Sequence, residues 1–328
     1  MRLVFMGTPD FAVPVLEQLL ADGHEIGLVI TQPDRSVGRG RRLSSPPVKA
    51  VAQKHGLAVL QPGKLREPDV LEALRSVRPE VIVVAAFGQL LPTAVLDLPP
   101  LGCLNVHASL LPRWRGAAPI PAAILAGDDI SGVTIMLMER GLDTGPVLTQ
   151  ARESIEPRDT AAMLGGRLAQ LGARLLAETL PRWAEQQIAP RPQAEAAATY
   201  APRLRKDDGL VDWNLASVDI WRRCRAFNPW PVAFTRWQGK SLRILAAAPL
   251  LASNPDRLPG TVGVMAATDA RGATRYPELL PTAGHLLAVT AADGSLALLA
   301  VQPEGGRVQT GEEYARGHGP IIGDRLGG

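Results

Sequence analysis

The chain has 328 residues, 46% hydrophobic, 4% aromatic and 20% charged, with a formal net charge of +3. That length supports about two domains, the small charge favours a nucleic-acid partner only slightly, and no apolar run approaches the roughly 20 residues of a membrane span. Cys103 and Cys224 lack metal-ligand spacing and suit a reducing compartment. The apolar part of residues 1–10 is too short for a signal peptide, so the cytoplasm is the expected location.

Residues 3–6 read as a buried first strand, and Gly7-Thr8-Pro9-Asp10 turns into a helix over 11–21. Pro14 fits that helix only within its first turn. The opening is that of a Rossmann βα unit, but the Gly-x-Gly-x-x-Gly fingerprint is absent, which argues against NAD. Further strands are expected at 25–31 and 57–60, and helices at 47–55 and 67–77. Val81-Ile82-Val83-Val84-Ala85 is apolar throughout, as a parallel strand covered on both faces requires. Residues 103–106 form the next strand and 133–138 another apolar run. This alternation predicts an α/β fold with a Rossmann-like, doubly wound, mainly parallel sheet. A helix over 160–180 has Asp159 as its candidate N-cap.

Beyond it the chain changes character. Residues 189–202 hold Pro190, Pro192, Pro202 and an Ala-rich tract, and read as a linker. A helix near 218–226 precedes five short strands, around 233–237, 241–247, 261–266, 286–290 and 295–301, whose turn-separated spacing fits a small β-barrel. The expected domains are 1–189 and 207–328, joined by a linker over 190–206. Residues 269–284 read as a long loop without an assignable role. Trp221, Trp230 and Trp237 are expected in the core.

Reactive groups concentrate in two segments. In Asn105-Val106-His107, at a strand end, alternation puts Asn105 and His107 on one face, an amide donor beside an imidazole that can donate or accept. A polar strand end capping a turn explains this pattern equally well. In Glu139-Arg140-Gly141-Leu142-Asp143-Thr144-Gly145-Pro146 a carboxylate lies between glycines, which a turn serving its own backbone also explains. Brought together beyond the carboxyl ends of the strands, where such sheets bind ligands, Asn105, His107 and Asp143 could polarise a carbonyl and move a proton. Between Pro33 and Pro46, Arg35, Arg39, Arg41 and Arg42 face one acid, Asp34, either as a solvated loop or as a phosphate contact. A second basic cluster, Arg203, Arg205, Lys206, Arg222, Arg223 and Arg225, could track a nucleic-acid backbone or be a solvated helix face.

Asn-x-His-x-Ser-Leu-Leu-Pro from Asn105 to Pro112, with Gly-Leu-Asp-Thr-Gly from Gly141 to Gly145, resembles the folate-dependent formyltransferases. The longer match from Asn105 to Pro119 is most similar to members that act on methionyl-tRNA. The likeness covers nearly the whole chain, since Val211-Asp212-Trp213 and Phe227-Asn228-Pro229-Trp230-Pro231 resemble their C-terminal OB-fold domain. It implies formyl transfer from 10-formyltetrahydrofolate to the amino group of initiator methionyl-tRNA, without a metal, by a trio of Asn105, His107 and Asp143. It implies that Ser109, Leu110, Leu111 and Pro112 contact the folate and that Phe87, Gly88 and Leu90 line the pterin pocket; loop-to-core packing is the plain alternative for both groups. It also implies that the Arg35–Arg42 loop engages the acceptor end, with Arg41 central; Arg205 and Lys206, from the second basic cluster, are the candidate tRNA contacts beyond that loop. Ser36-Val37 departs from the Pro-Ala expected there. The alternatives are a relative acting on a sugar-nucleotide or ribonucleotide amine, against which the Arg-rich loop argues, and a non-catalytic tRNA-binding module, against which the trio argues.

Overall fold

Hydrophobic strands short enough to be covered on both faces dominate the first half of the chain, and they stack into one sheet. The computed structural model describes residues 1–37, 42–251, 257–317, 319–320 and 322–327. By packing, the chain divides into two units: one of Met1–Pro119, Ile130–Ser154 and Leu164–Pro202, the other of Ile120–Asp129, Ile155–Met163 and Arg203–Gly328. Among the described residues no helix is long and apolar enough to cross a membrane.

In chain order the elements up to residue 201 are β1 (Arg2–Gly7), α1 (Val13–Ala21), β2 (Glu25–Ile30), β3 (Arg35–Val37), β4 (Arg42–Ser44), α2 (Pro47–Lys54), β5 (Val59–Leu60), α3 (Pro68–Val77), β6 (Val81–Ala85), α4 (Thr93–Leu96), β7 (Cys103–His107), β8 (Arg115–Gly116), α5 (Pro119–Ala126), β9 (Ile130–Leu137), β10 (Val147–Ser154), α6 (Ala161–Ala184) and β11 (Tyr200–Ala201). Seven strands form a sheet of order β10-β9-β7-β6-β1-β2-β5. The run from β5 to β7 is parallel, whereas β9 is antiparallel to both β7 and β10. The chain winds one way from β1 and then restarts at β6 on its other side, a topological switch point of the kind that opens a ligand crevice. Thr8 bridges it, its hydroxyl donating to the Phe87 carbonyl over 3.1 Å.

All five residues of β6 are buried, as the unbroken apolar run predicts. The long helix α6 starts one residue later than Asp159 suggests. The Thr160 hydroxyl accepts from the Met163 N–H, while the Asp159 carboxylate is taken by the Glu156 N–H at 2.7 Å. Either residue type caps well; the turn before the helix consumes the first.

At Gly172 α6 lies close against the sheet. A Cβ there would lie 2.7 Å from Val106 Cγ1 and 3.3 Å from Val133 Cγ1. Alanine would favour the helix by roughly 1 kcal/mol, but overpacking against stiff, buried β-branched side chains typically costs about 1–3 kcal/mol. The second effect should win, so Gly172→Ala is expected to lower the urea midpoint of this unit. A raised midpoint would mean that the helix can lift off the strands.

The second unit contains α7 (Ser217–Ala226), β12 (Ala233–Trp237), β13 (Lys240–Leu250), β14 (Val262–Ala266), α8 (Ala267–Gly272), β15 (His285–Thr290), β16 (Ser295–Pro303), β17 (Gln309–Thr310) and α9 (Gly311–Gly317). Its sheet has the order β12-β13-β16-β15-β14, with β17 added to β16, and its pairings are antiparallel. Register shifts around Ala246 bend β13. Residues from both ends of the strand order, Ala233 and Val262, therefore share one core with Trp213, Ile220 and Trp221. The stretch 269–284 is not a bare loop: α8 enters it, a 3₁₀ turn occupies Pro277–Leu279, and Arg271 donates to the carbonyls of Pro277 and Leu280. Trp221 is in the core as expected, but Trp230 is 54% exposed. It sits between two prolines in the turn after α7, where no helical or strand period directs it inward.

Candidate active site

The site is built around the carboxyl end of β7. Val106 points at α6, so its neighbours Asn105 and His107 share the opposite face, 8% and 6% exposed. His107 Nε2 lies 2.7 Å from the Trp114 carbonyl oxygen. A carbonyl can only accept, so Nε2 carries the hydrogen and the neutral ring keeps its lone pair on Nδ1. That nitrogen is 3.7 Å from Asp143 Oδ1. A proton taken up by the ring is thus added facing the carboxylate. Among the described residues the Asn105 carboxamide makes no side-chain hydrogen bond, which leaves its N–H groups available to a ligand.

Asp143 is held from several sides. Its backbone is left-handed, φ 53°, and its Oδ2 accepts from the Gly116 N–H at 2.8 Å. Gly116 itself has φ 109°, and a Cβ there would sit 2.6 Å from the Ala201 carbonyl oxygen, so only glycine fits. The Gln193 amide donates to the carbonyls of both Asp143 and Gly145, each over 2.7 Å. Behind it lies Arg115, whose side chain is 0% exposed. Its Nε donates to Gln193 Oε1 at 3.1 Å, and its two terminal nitrogens clasp the Glu195 carboxylate at 3.1 and 2.9 Å. The Arg115 guanidinium holds the Glu195 carboxyl below the usual carboxylate range. Residues 190–202, expected as a linker, are therefore packed into the first unit, with β11 pairing in parallel with β8.

The turn after β7 hangs on Thr134, which lies opposite His107 in the β7–β9 register. Its hydroxyl donates to the Ser109 carbonyl at 2.6 Å and accepts from the Leu111 N–H at 3.1 Å and the Gln150 amide at 3.0 Å. One donor and two acceptor sites exhaust a hydroxyl. The buried Ser109 hydroxyl accepts from the Trp114 N–H and donates to the Trp114 carbonyl. Leu110 lies over Gly132, Leu111 packs with Met136 and Val147, and Pro112 is half-buried. Of the residues expected at the pterin pocket, Phe87 is in the core, Gly88 is left-handed at φ 88° and Leu90 is 70% exposed.

The basic segments separate into different kinds. Arg35 and Arg42 lie on the short hairpin of β3 and β4, while Arg39 and Arg41 fall within 38–41, outside the described residues. The base of that hairpin is fixed by Asp34, which accepts from Lys49 at 2.8 Å and from the Gln61 amide at 2.8 Å. Those hydrogen bonds, Gln61 first and then Lys49, hold the Asp34 carboxyl below its ordinary range. Arg205 and Lys206 are exposed at the start of a 3₁₀ turn. Arg225, grouped by sequence with the basic helix face, is instead a staple. Its guanidinium donates to the carbonyls of Asp159 and Glu156 and lies 4.4 Å above the Trp221 ring. Burial pushes it down to about 10, so it is still charged at neutral pH.

Residues 1–180 match the formyl transferase family and residues 203–319 the formyl transferase C-terminal domain. Over 326 residues the chain is 46% identical to the methionyl-tRNA formyltransferase of Magnetococcus marinus, covering 99% of this chain and 98% of that one. The chain belongs to the methionyl-tRNA formyltransferase family. Solved structures share the fold of this formyltransferase at low identity. HypX from Aquifex aeolicus in complex with tetrahydrofolic acid aligns with a TM-score of 0.61 and 17% identity, over 95% of this chain but 46% of that one, so the chain spans about half of HypX. An N-formyltransferase from Helicobacter canadensis in complex with folinic acid and dTDP-3-aminofucose aligns with a TM-score of 0.63 and 18% identity, over 91% of this chain and 98% of that one. Four residues that support the candidate site, Arg115, Thr134, Gln150 and Gln193, were given no role from the sequence alone. Thr134 alone left a trace there, a polar residue inside an apolar run.

Proposed function

We propose that the chain transfers a formyl group from 10-formyltetrahydrofolate to the amino group of initiator methionyl-tRNA, in the cytoplasm, with Asn105, His107 and Asp143 as the acting side chains. The observation that carries this is the facing pair of His107 Nδ1 and Asp143 Oδ1, 3.7 Å apart, on the same face as the uncommitted Asn105 amide. A reference α-amino group has a pKa of about 7.7–8.0 and needs little activation at neutral pH. What the reaction needs is a donor to the formyl oxygen as it gains charge, and a route for one proton. In the exchange the amine–carbon bond forms, the bond from that carbon to the donor nitrogen breaks, and the amine's proton passes to the donor nitrogen. Asn105 donates to the oxygen; Asp143 and His107 hold the proton between them.

The surroundings suit a flat heterocycle. Leu90 and Leu142, 70% and 49% exposed in loops after β6 and β9, are apolar side chains that a bound ligand would cover. The folate, when bound, supplies the formyl group. Membership of the family and the Arg35–Arg42 hairpin support tRNA, rather than a small amine, as the acceptor. The test is formyl transfer with purified components, comparing charged initiator tRNA with sugar-nucleotide and ribonucleotide amines. Equal or better use of a small amine would overturn the tRNA assignment.

Arg41 probes the recognition of tRNA. Loss of an arginine that reads a base costs about 1–3 kcal/mol, or roughly 5- to 150-fold, and does so for one sequence over another. Arg41→Ala is expected to lower the ratio of initiator to elongator formylation by such a factor at matched salt, with folate binding intact. An unchanged ratio with both rates reduced would make Arg41 a phosphate anchor only.

A further inference from the structure

We infer that Gln193 is a positioning residue that sets the reach of Asp143 towards His107, an inference that rests on the reading of Asp143 as the proton-handling carboxylate. A non-glycine residue at φ 53° stays there only when its surroundings over-determine it. Two sets of bonds do so. The Gly116 N–H fixes the carboxylate, and Gln193 fixes the backbone, bridging the carbonyls of Asp143 and Gly145 on either side of Thr144.

The orientation of the bridging amide is dictated by what lies behind it. Arg115 has no acceptor, so the group 3.1 Å from its Nε must be the Gln193 oxygen. Both amide N–H bonds are thereby committed to the two loop carbonyls, and the amide cannot flip without facing donor to donor and acceptor to acceptor. Arg115 is itself immobilised, fully buried, clasped by Glu195 and within 3.4 Å of the Tyr200 hydroxyl. The result is a braced strut, with Arg115 as its fixed end and the Asp143 loop as its load.

Its consequence lies in the spacing of the reacting pair. At 3.7 Å, His107 Nδ1 and Asp143 Oδ1 are just beyond hydrogen-bond length, so a small approach makes the bond when Nδ1 carries a proton and a small retreat puts it out of reach. Displacements of about 1 Å at a catalytic centre can cost on the order of 10²-fold. A side chain that contacts no substrate therefore controls the rate through the carboxylate it places.

The experiment compares Gln193→Ala, Gln193→Glu, Asp143→Asn and the double variant Asp143→Asn/Gln193→Ala in the full-length protein. Four quantities are read: single-turnover formylation of charged initiator tRNA, its pH profile, equilibrium binding of tetrahydrofolate, and the melting temperature. Gln193→Ala is expected to slow the chemical step about 10-fold or more and to displace the pH profile, with tetrahydrofolate binding unchanged. Gln193→Glu, near-isosteric and still an acceptor for Arg115 but without N–H groups, should behave alike. In the Asp143→Asn background Gln193→Ala should have no further effect, because residues acting as a unit are not additive. Multiplicative effects in the double variant, a wild-type rate in both Gln193 variants, or failure of both to fold would overturn the inference while leaving the role of Asp143 intact. A wild-type rate for Asp143→Asn would overturn that role, and the inference with it.

Discussion

Asn105→Ala and His107→Ala are each expected to slow a single turnover of formyl transfer at least ~10²-fold, the scale of a lost oxyanion donor or proton-transfer group. The structure indicates that the loss will be one of chemistry rather than of folding. The Trp114 carbonyl that accepts from His107 also accepts from the Ser109 hydroxyl at 3.0 Å, so removing the imidazole orphans no buried acceptor. The Asn105 amide has no side-chain partner to strand among the described residues. Both variants should therefore keep the near-UV circular dichroism of the parent. Near-wild-type single-turnover rates for either would remove it from the mechanism.

Asp143→Asn is expected to have a comparable effect, about 10²- to 10⁴-fold on the chemical step, through the replacement of one carboxylate oxygen by an NH₂ group. The Asn oxygen can take the place of Oδ2 and still accept from the Gly116 N–H. The NH₂ group then faces His107 Nδ1, whose lone pair it can satisfy, so the geometry survives. What disappears is a group able to accept a proton and return it. Folate affinity should consequently change far less than the rate. Abolished equilibrium folate binding, with a residual chemical rate near normal, would make the carboxylate a binding group.

Which elements could be read in advance follows from where their side chains go. Val81–Ala85 was legible residue for residue, because a strand buried on both faces has no reason to contain anything polar. The strand β10 was not legible. It lies at the sheet edge, and after Val147 and Leu148 its burial alternates through Thr149, Gln150, Ala151, Arg152, Glu153 and Ser154. Such a run looks like a polar loop. α5 was obscured by Pro119 and Pro121, which fall in its first turn and so do not break it.

Within the site, Asn105 and His107 were legible as a face-sharing pair because a strand period is local. Asp143 gained meaning only through resemblance, since a carboxylate between glycines is an ordinary turn. Arg115 and Gln193 could not be singled out from the chain alone. Their partners lie 48 to 85 residues away, and no period or motif announces a contact of that range.

The pairing of β8 with β11 also bears on the order in which a growing chain acquires its parts. Domains generally form from the N-terminus during synthesis, and all seven strands of the first sheet lie within Arg2–Ser154. The residues that brace the Asp143 loop, from Gln193 to Tyr200, leave the ribosome after every one of those strands. A nascent chain can thus complete its sheet while its Asp143 loop is still unbraced. A fragment ending with α6 would likewise retain every strand of that sheet but not the strut that holds the carboxylate.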